Sequence, residues 1–178
     1  MKPVTIKTRD GLTMHAYLTL PNGLPPKNLP LVLFVHGGPW GRDTWGFNST
    51  AQWLANRGYA VLQANFRGST GYGVAFQKSG EGEWGLKMQD DLLDAINYAA
   101  KQGIADPKRV CIVGASYGGY AAMRGAQRDA AHYKCAISYA GVSDLSAMKR
   151  YDTQFLLGKY AKSYWKKQVK DFTAVSPR

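Results

Sequence analysis

The chain has 178 residues, 45% of them hydrophobic and 20% charged, a balance that suits one globular α/β domain and excludes a disordered chain. Its net charge of +11 raises the question of a nucleic-acid partner, but +6 of it sits between Lys149 and Arg178, with eight basic and two acidic residues. That concentration reads as a solvated basic tail, with Lys162, Lys166, Lys167 and Lys170 near one helical face.

In chain order, "VTIKTRDGLTMHAYLTLP" alternates apolar and polar residues around Asp10-Gly11 and predicts a β-hairpin. "PNGLPPKNLP" is a loop. "LVLFVHGGPW" is a continuous apolar strand running into glycines, the pattern of a strand covered on both faces. A short helix is expected over 48–56 and a strand over 59–64, followed by the glycine-rich loop "NFRGSTGYG". Met88, Leu92, Ile96 and Ala99 share a helical face that Leu93 and Ala100 widen, and Gly103 stops the helix. Asp90 and Asp91, in its first turn, read as dipole compensation. "DPKRV" is a turn into a buried strand. A helix over 117–128, a strand over 135–140 and short helices from Leu145 complete the chain. Cys111 and Cys135 fall in strands and read as small buried thiols with no metal-ligand spacing. Alternating strands and helices predict a mostly parallel sheet with helices on both faces and the active edge at the strands' carboxyl ends.

At one such end stands Gly114-Ala115-Ser116-Tyr117-Gly118, a G-x-S-x-G turn between strand and helix. A turn this sharp lifts the serine hydroxyl above the sheet, and glycines two residues to either side avoid collisions there. The helix N-terminus then aims N–H groups at developing negative charge. Acyl transfer at Ser116 needs a second set of oxyanion donors, and His36-Gly37-Gly38-Pro39 follows an earlier strand. One donor is the N–H of Tyr117. Pro39 has no N–H, so Gly37 or Gly38 supplies the other.

"HGGP", "NFRGSTGYG", Trp84-Gly85, "DPKRV" and "GASYGGY", in this order, resemble the catalytic domain of the prolyl oligopeptidase family of serine peptidases. Within it they look most like the acylaminoacyl-peptidase and dipeptidyl-peptidase branch. The resemblance implies an α/β-hydrolase fold over residues 1–178, cleavage of short peptides, Ser116 as nucleophile, and Gly38 and Tyr117 as the oxyanion hole. It also places a β-propeller ahead of this domain and an acid and a histidine after it. The chain is therefore expected to be a partial domain without the propeller, incomplete at its C-terminal sheet edge, and nearly inactive alone.

The residues leave few substitutes for the missing base. His132 is the only histidine after Ser116, and it precedes a strand, on the side away from the catalytic edge. His36 shapes the oxyanion loop. Asp144 is the fallback acid but reads better as a cap. His36, Trp40, Arg67 and Tyr72 are candidate substrate-pocket residues, although Arg67 reads better as a tie between loops. Tyr117 is also placed to line the acyl pocket. No cofactor or metal is called for. The expected partner is a short peptide, with no nucleic acid and no membrane, and an unpaired sheet edge is open to a second copy or a complementary segment. With no apolar run near the ~18 residues of a membrane span and no signal-peptide core, a cytoplasmic protein is expected. An ester hydrolase of the same fold and a non-catalytic module binding through its basic C-terminal face are the alternatives.

Overall fold

The computed structural model describes residues 1–155 and 158–178. Six strands form one sheet: β1 (Lys2–Lys7), β2 (Thr13–Thr19), β3 (Leu29–Val35), β4 (Ala60–Asn65), β5 (Ala105–Ala115) and β6 (Cys135–Tyr139). Their order is β1-β2-β4-β3-β5-β6. β1 and β2 make the antiparallel hairpin, β2 also pairs antiparallel with β4, and β3, β4, β5 and β6 run parallel. The helices are α1 (Ser49–Ala55), α2 (Val74–Lys78), α3 (Lys87–Lys101), α4 (Tyr117–Arg128), α5 (Leu145–Asp152) and α6 (Gly158–Gln168). This mixed, mostly parallel sheet with an N-terminal hairpin is the expected α/β-hydrolase arrangement.

Alternation along β4 sorts the two faces. Ala60, Leu62 and Ala64 join the main core with Met14, Leu33, Ile112, Leu92 and Ile96, under α3 and α4. Each fully buried Leu or Ile here is worth roughly 1.5–3 kcal/mol relative to exposure. Val61, Gln63 and Asn65 alternate to the other face, where α1 packs against β4 with Ala51 and Ala55 buried. Asn48 caps α1, its side chain accepting from the Ala51 N–H at 2.9 Å.

Three local expectations change. The "DPKR" segment lies inside β5, where the Asp106 carboxylate accepts from the Lys108 N–H at 2.9 Å and the pairing with β3 shifts register between Leu29 and Leu31. α2 has only five residues, too few for a helical period to show. Cys111 and Cys135 are joined in a disulfide rather than being separate buried thiols. They sit opposite one another in the β5–β6 register, Cα atoms 4.7 Å apart, and Cys135 is exposed on the edge strand.

Among the described residues no helix is long and apolar enough to cross a membrane. All five residues of β6 are exposed at the sheet edge, Tyr139 to 75%.

Candidate active site

β5 ends at Ala115, and α4 begins at Tyr117. Ser116 joins them at φ 56°, ψ −117°, a conformation that L-residues avoid and that turns are built to hold. Its own N–H donates to the Tyr139 carbonyl at 3.0 Å, so β6 clamps the serine's backbone. Ser116 is exposed. The flanking glycines are required by close approach. A Cβ on Gly114 would lie 2.5 Å from the Gly118 carbonyl carbon, and one on Gly118 would overlap the Val35 carbonyl oxygen. Strand β3, helix α4 and the serine turn thus meet backbone to backbone.

The loop after β3 lies against this turn. A Cβ on Gly37 would sit 3.4 Å from Ser116 Cβ and 4.0 Å from Ser116 Oγ. Gly38 has φ 122° and precedes a cis bond to Pro39, and a Cβ on it would meet the Trp40 N at 2.5 Å. The first intrahelical bond of α4 runs from the Tyr120 N–H to the Ser116 carbonyl, leaving the earlier N–H groups of that turn without helical acceptors.

His36 is spent on the loop itself. Its Nδ1–H donates to the Gly37 carbonyl at 2.8 Å, Nε2 lies 2.9 Å from Ser69 Oγ, and its ring stacks on Phe66. Burial pushes its pKa below the ordinary histidine value, against the opposing Gly37 bond. His15 stacks on Tyr72. His132 is exposed on a 3-10 turn before β6, at the other end of the sheet from Ser116.

The other candidates separate. Arg67 is buried, donating to both Asp91 oxygens at 2.8 and 2.7 Å and to both Asp10 oxygens at 2.9 Å. Asp91 is fully buried, so it is an ion-pair partner and not the exposed dipole-compensating group expected; Asp90 alone keeps the first-turn position, paired with Arg9 and Arg128. Tyr72 accepts from Asn65 Nδ2 at 2.8 Å. Trp40 packs edge-on against Tyr164 and, with Met88, Tyr160 and Glu81, lines a cleft of about 530 Å³ that opens beside Pro39. Ser116, His36, Arg67 and Tyr72 do not line it. Asp144 caps α5, accepting from the Ala147 N–H at 2.9 Å, with Arg178 on its second oxygen at 2.7 Å.

The Tyr117 ring is a correction. It is 2% exposed and packs with Phe66, Trp84 and Tyr120 beneath the elbow, so only its backbone is available to the site. Trp84 in turn meets Trp165 of α6. Trp84-Gly85 marks part of this aromatic floor in the sequence, but nothing there joins it to Tyr117.

Sequence reasoning also missed Asp43, which fastens the loop after β3 to β4. Its N–H donates to Asn65 Oδ1 at 2.8 Å, its carbonyl accepts from Asn65 Nδ2 at 3.0 Å, and its Oδ1 accepts from Gln63 Nε2 at 2.9 Å. Asp43 Oδ2 and Gln63 Oε1 are buried acceptors with no protein donor. Burial pushes Asp43 up to about 6 against the opposing Gln63 bond. A carboxyl whose folded pKa is raised contributes stability that is complete below the ordinary Asp range and lost as pH climbs through 6. Asp43→Asn should therefore raise the Tm at pH 8, by on the order of 2 kcal/mol of stability, and flatten the Tm profile between about pH 4 and 7. Thermal melts across that range check it; a profile unchanged from the parent contradicts it.

Comparison with known proteins agrees with this geometry. The model of the prolyl oligopeptidase family matches residues 45–177. A dipeptidyl aminopeptidase BIII of Pseudoxanthomonas mexicana is 48% identical over 153 residues, covering 82% of this chain and 22% of that protein. Dipeptidyl peptidase family member 6 of Caenorhabditis elegans is 37% identical over 173 residues, 85% of this chain and 23% of that protein. Among solved structures, the acylaminoacyl peptidase of Pyrococcus horikoshii superposes with a TM-score of 0.83 at 26% identity, over 99% of this chain and 29% of that one. The chain thus spans about a quarter of the length of these relatives. The family match, the relatives' identity and the elbow with its neighbouring glycine loop agree: the chain belongs to the prolyl oligopeptidase family.

Proposed function

We propose that this chain carries the nucleophile and oxyanion hole of a serine peptidase acting on short peptides. The observation that carries this reading is Ser116, exposed at φ 56° with the Gly37 backbone against it. Ser116 Oγ attacks the scissile carbonyl carbon, and the N–H groups of Tyr117 and Gly38 receive the oxyanion. Collapse of the tetrahedral species expels the amine, and water then hydrolyses the acyl-enzyme. The relatives' names, which speak of dipeptidyl and acylaminoacyl groups, support short peptides as substrates.

A serine hydroxyl needs a base. The bonding of His36 to Gly37 and Ser69, the stacking of His15 and the distant place of His132 support a base from outside this chain's three histidines. The chain alone is then a poor catalyst. A fluorophosphonate probe with mass-spectrometric mapping tests both points. The expected adduct is slow, confined to Ser116, absent from Ser116→Ala, and accelerated by added imidazole as a diffusible base. An adduct on another residue, or turnover by the chain alone in the range of about 1–1,000 per second, contradicts the reading.

A further inference from the structure

A second cleft, of about 580 Å³, lies between α5 and α6, and Trp40 and the elbow take no part in its lining. Lys149, Arg150, Lys159 and Lys162 line it, with the hydroxyl residues Ser146 and Thr153 and the ring of Phe172. Among the described residues no acidic side chain lines it. The nearest acids in sequence are committed elsewhere. Asp144 caps α5 and pairs with Arg178, Asp152 accepts from Trp165 Nε1 at 2.8 Å, and Asp171 accepts from the Thr173 and Ala174 N–H groups. Among the described residues none of the four cations has a carboxylate within 4.0 Å, whereas Arg9, Arg67, Arg109, Arg128 and Arg178 all do.

This arrangement also redraws the basic tail. Lys167 lines the cleft beside Trp40, Lys162 lines the cleft between the helices, and Lys170 lies beyond α6, 3.7 Å from Glu83. The lysines do not form the single face that their spacing suggests. Four like charges around one concavity focus a positive potential into it. Lys149 is held there, its Nζ 4.4 Å from the centre of the Phe172 ring.

We infer that the cleft between α5 and α6 binds an acidic polypeptide segment carrying two or more carboxylates. One carboxylate is too small to engage four cations spread around this volume, and spaced carboxylates match them. The hydroxyls of Ser146 and Thr153 add donors for the remaining oxygens. Tyr151 and Phe155, which stack edge-on and are 60% and 57% exposed, flank these residues in sequence and offer apolar contact that suits a peptide better than a small inorganic anion.

Fluorescence anisotropy on the 178-residue chain tests this, using a labelled peptide that alternates Glu with Leu and its Gln counterpart. Two double variants remove the same charge, K149Q/K162Q in the cleft and K2Q/K27Q outside it. Far-UV circular dichroism and a thermal melt check that each folds. Saturable binding of the Glu peptide is expected, weakened at least about tenfold by K149Q/K162Q and by Glu-to-Gln exchange, and about unchanged by K2Q/K27Q. Equal loss in both double variants would mean that net charge alone attracts the peptide. That result, equal binding of the two peptides, or tighter binding of a single-stranded RNA of matched charge would overturn the inference.

Discussion

Gly118→Ala should be the most damaging single-methyl change in this chain. The added Cβ would overlap the Val35 carbonyl oxygen and lie 3.2 Å from the His36 carbonyl oxygen. Both are backbone atoms, one in β3 and one just after it, so no side chain can swing away. Overpacking in a tight core costs about 1–3 kcal/mol when neighbours can yield. Here α4 would have to lift off β3, and we expect a loss above about 3 kcal/mol, a large part of the ~5–15 kcal/mol that keeps a domain folded. Urea unfolding followed by circular dichroism reads this as a fall in the midpoint. Gly114→Ala should behave alike, because its Cβ would meet Gly118 from the other side. Ser116→Ala, by contrast, should leave the midpoint about unchanged, since the serine is exposed. A Gly118→Ala chain as stable as the parent would mean that the elbow is not packed as described.

The second large effect is expected at Arg67→Met. Arg67 is held charged by its bonds to Asp91 and Asp10, against the cost of burial. Removing it strands the Asp91 carboxylate, which is fully buried and keeps only the Arg67 backbone N–H at 2.9 Å. Breaking a buried pair in this way costs about 3–5 kcal/mol. The double variant Arg67→Met/Asp91→Leu should recover much of the loss, because an apolar pair of similar size needs no desolvation. In Arg67→Met alone, burial raises the Asp91 pKa above its unfolded value. The deficit should therefore be smaller near pH 4 than at pH 8, where folding must keep an unpaired carboxylate charged. In the parent, Asp10 moves the other way: the Arg67 bonds hold its pKa well below the carboxylate range, so its contribution is present above that range and lost as pH falls. Urea midpoints for the two variants at both pH values test the scheme. A single variant that loses as much at pH 4 as at pH 8 would place the damage in lost packing.

Features that depend on a few adjacent residues were legible in the sequence. The elbow is one. Five residues define it, and both glycines follow from a turn whose backbones nearly touch. The hairpin around Asp10-Gly11, the apolar face of α3 and the cap of α5 by Asp144 are also local and stand where the sequence puts them. The glycine loop after β3 was legible as a motif, because a glycine pair after a buried strand leaves few backbone routes.

Tertiary structure decided the features that join distant positions. Asp91 lies 24 residues from Arg67, and Asp43 lies 20 from Gln63. Hydrophobic periodicity assigns a charged residue to the surface, so a buried carboxylate is invisible until the chain brings its donor. The same limit turned Tyr117 from a pocket residue into part of the core, because its direction depends on where α4 meets α3 and Trp84. It paired two cysteines through strand register and placed Lys162 and Lys167 of α6 in different clefts. By itself the sequence determined where the elbow serine sits and which backbone shape it needs. Only the folded chain decided which polar groups are buried together, because burial depends on neighbours that local spacing does not specify.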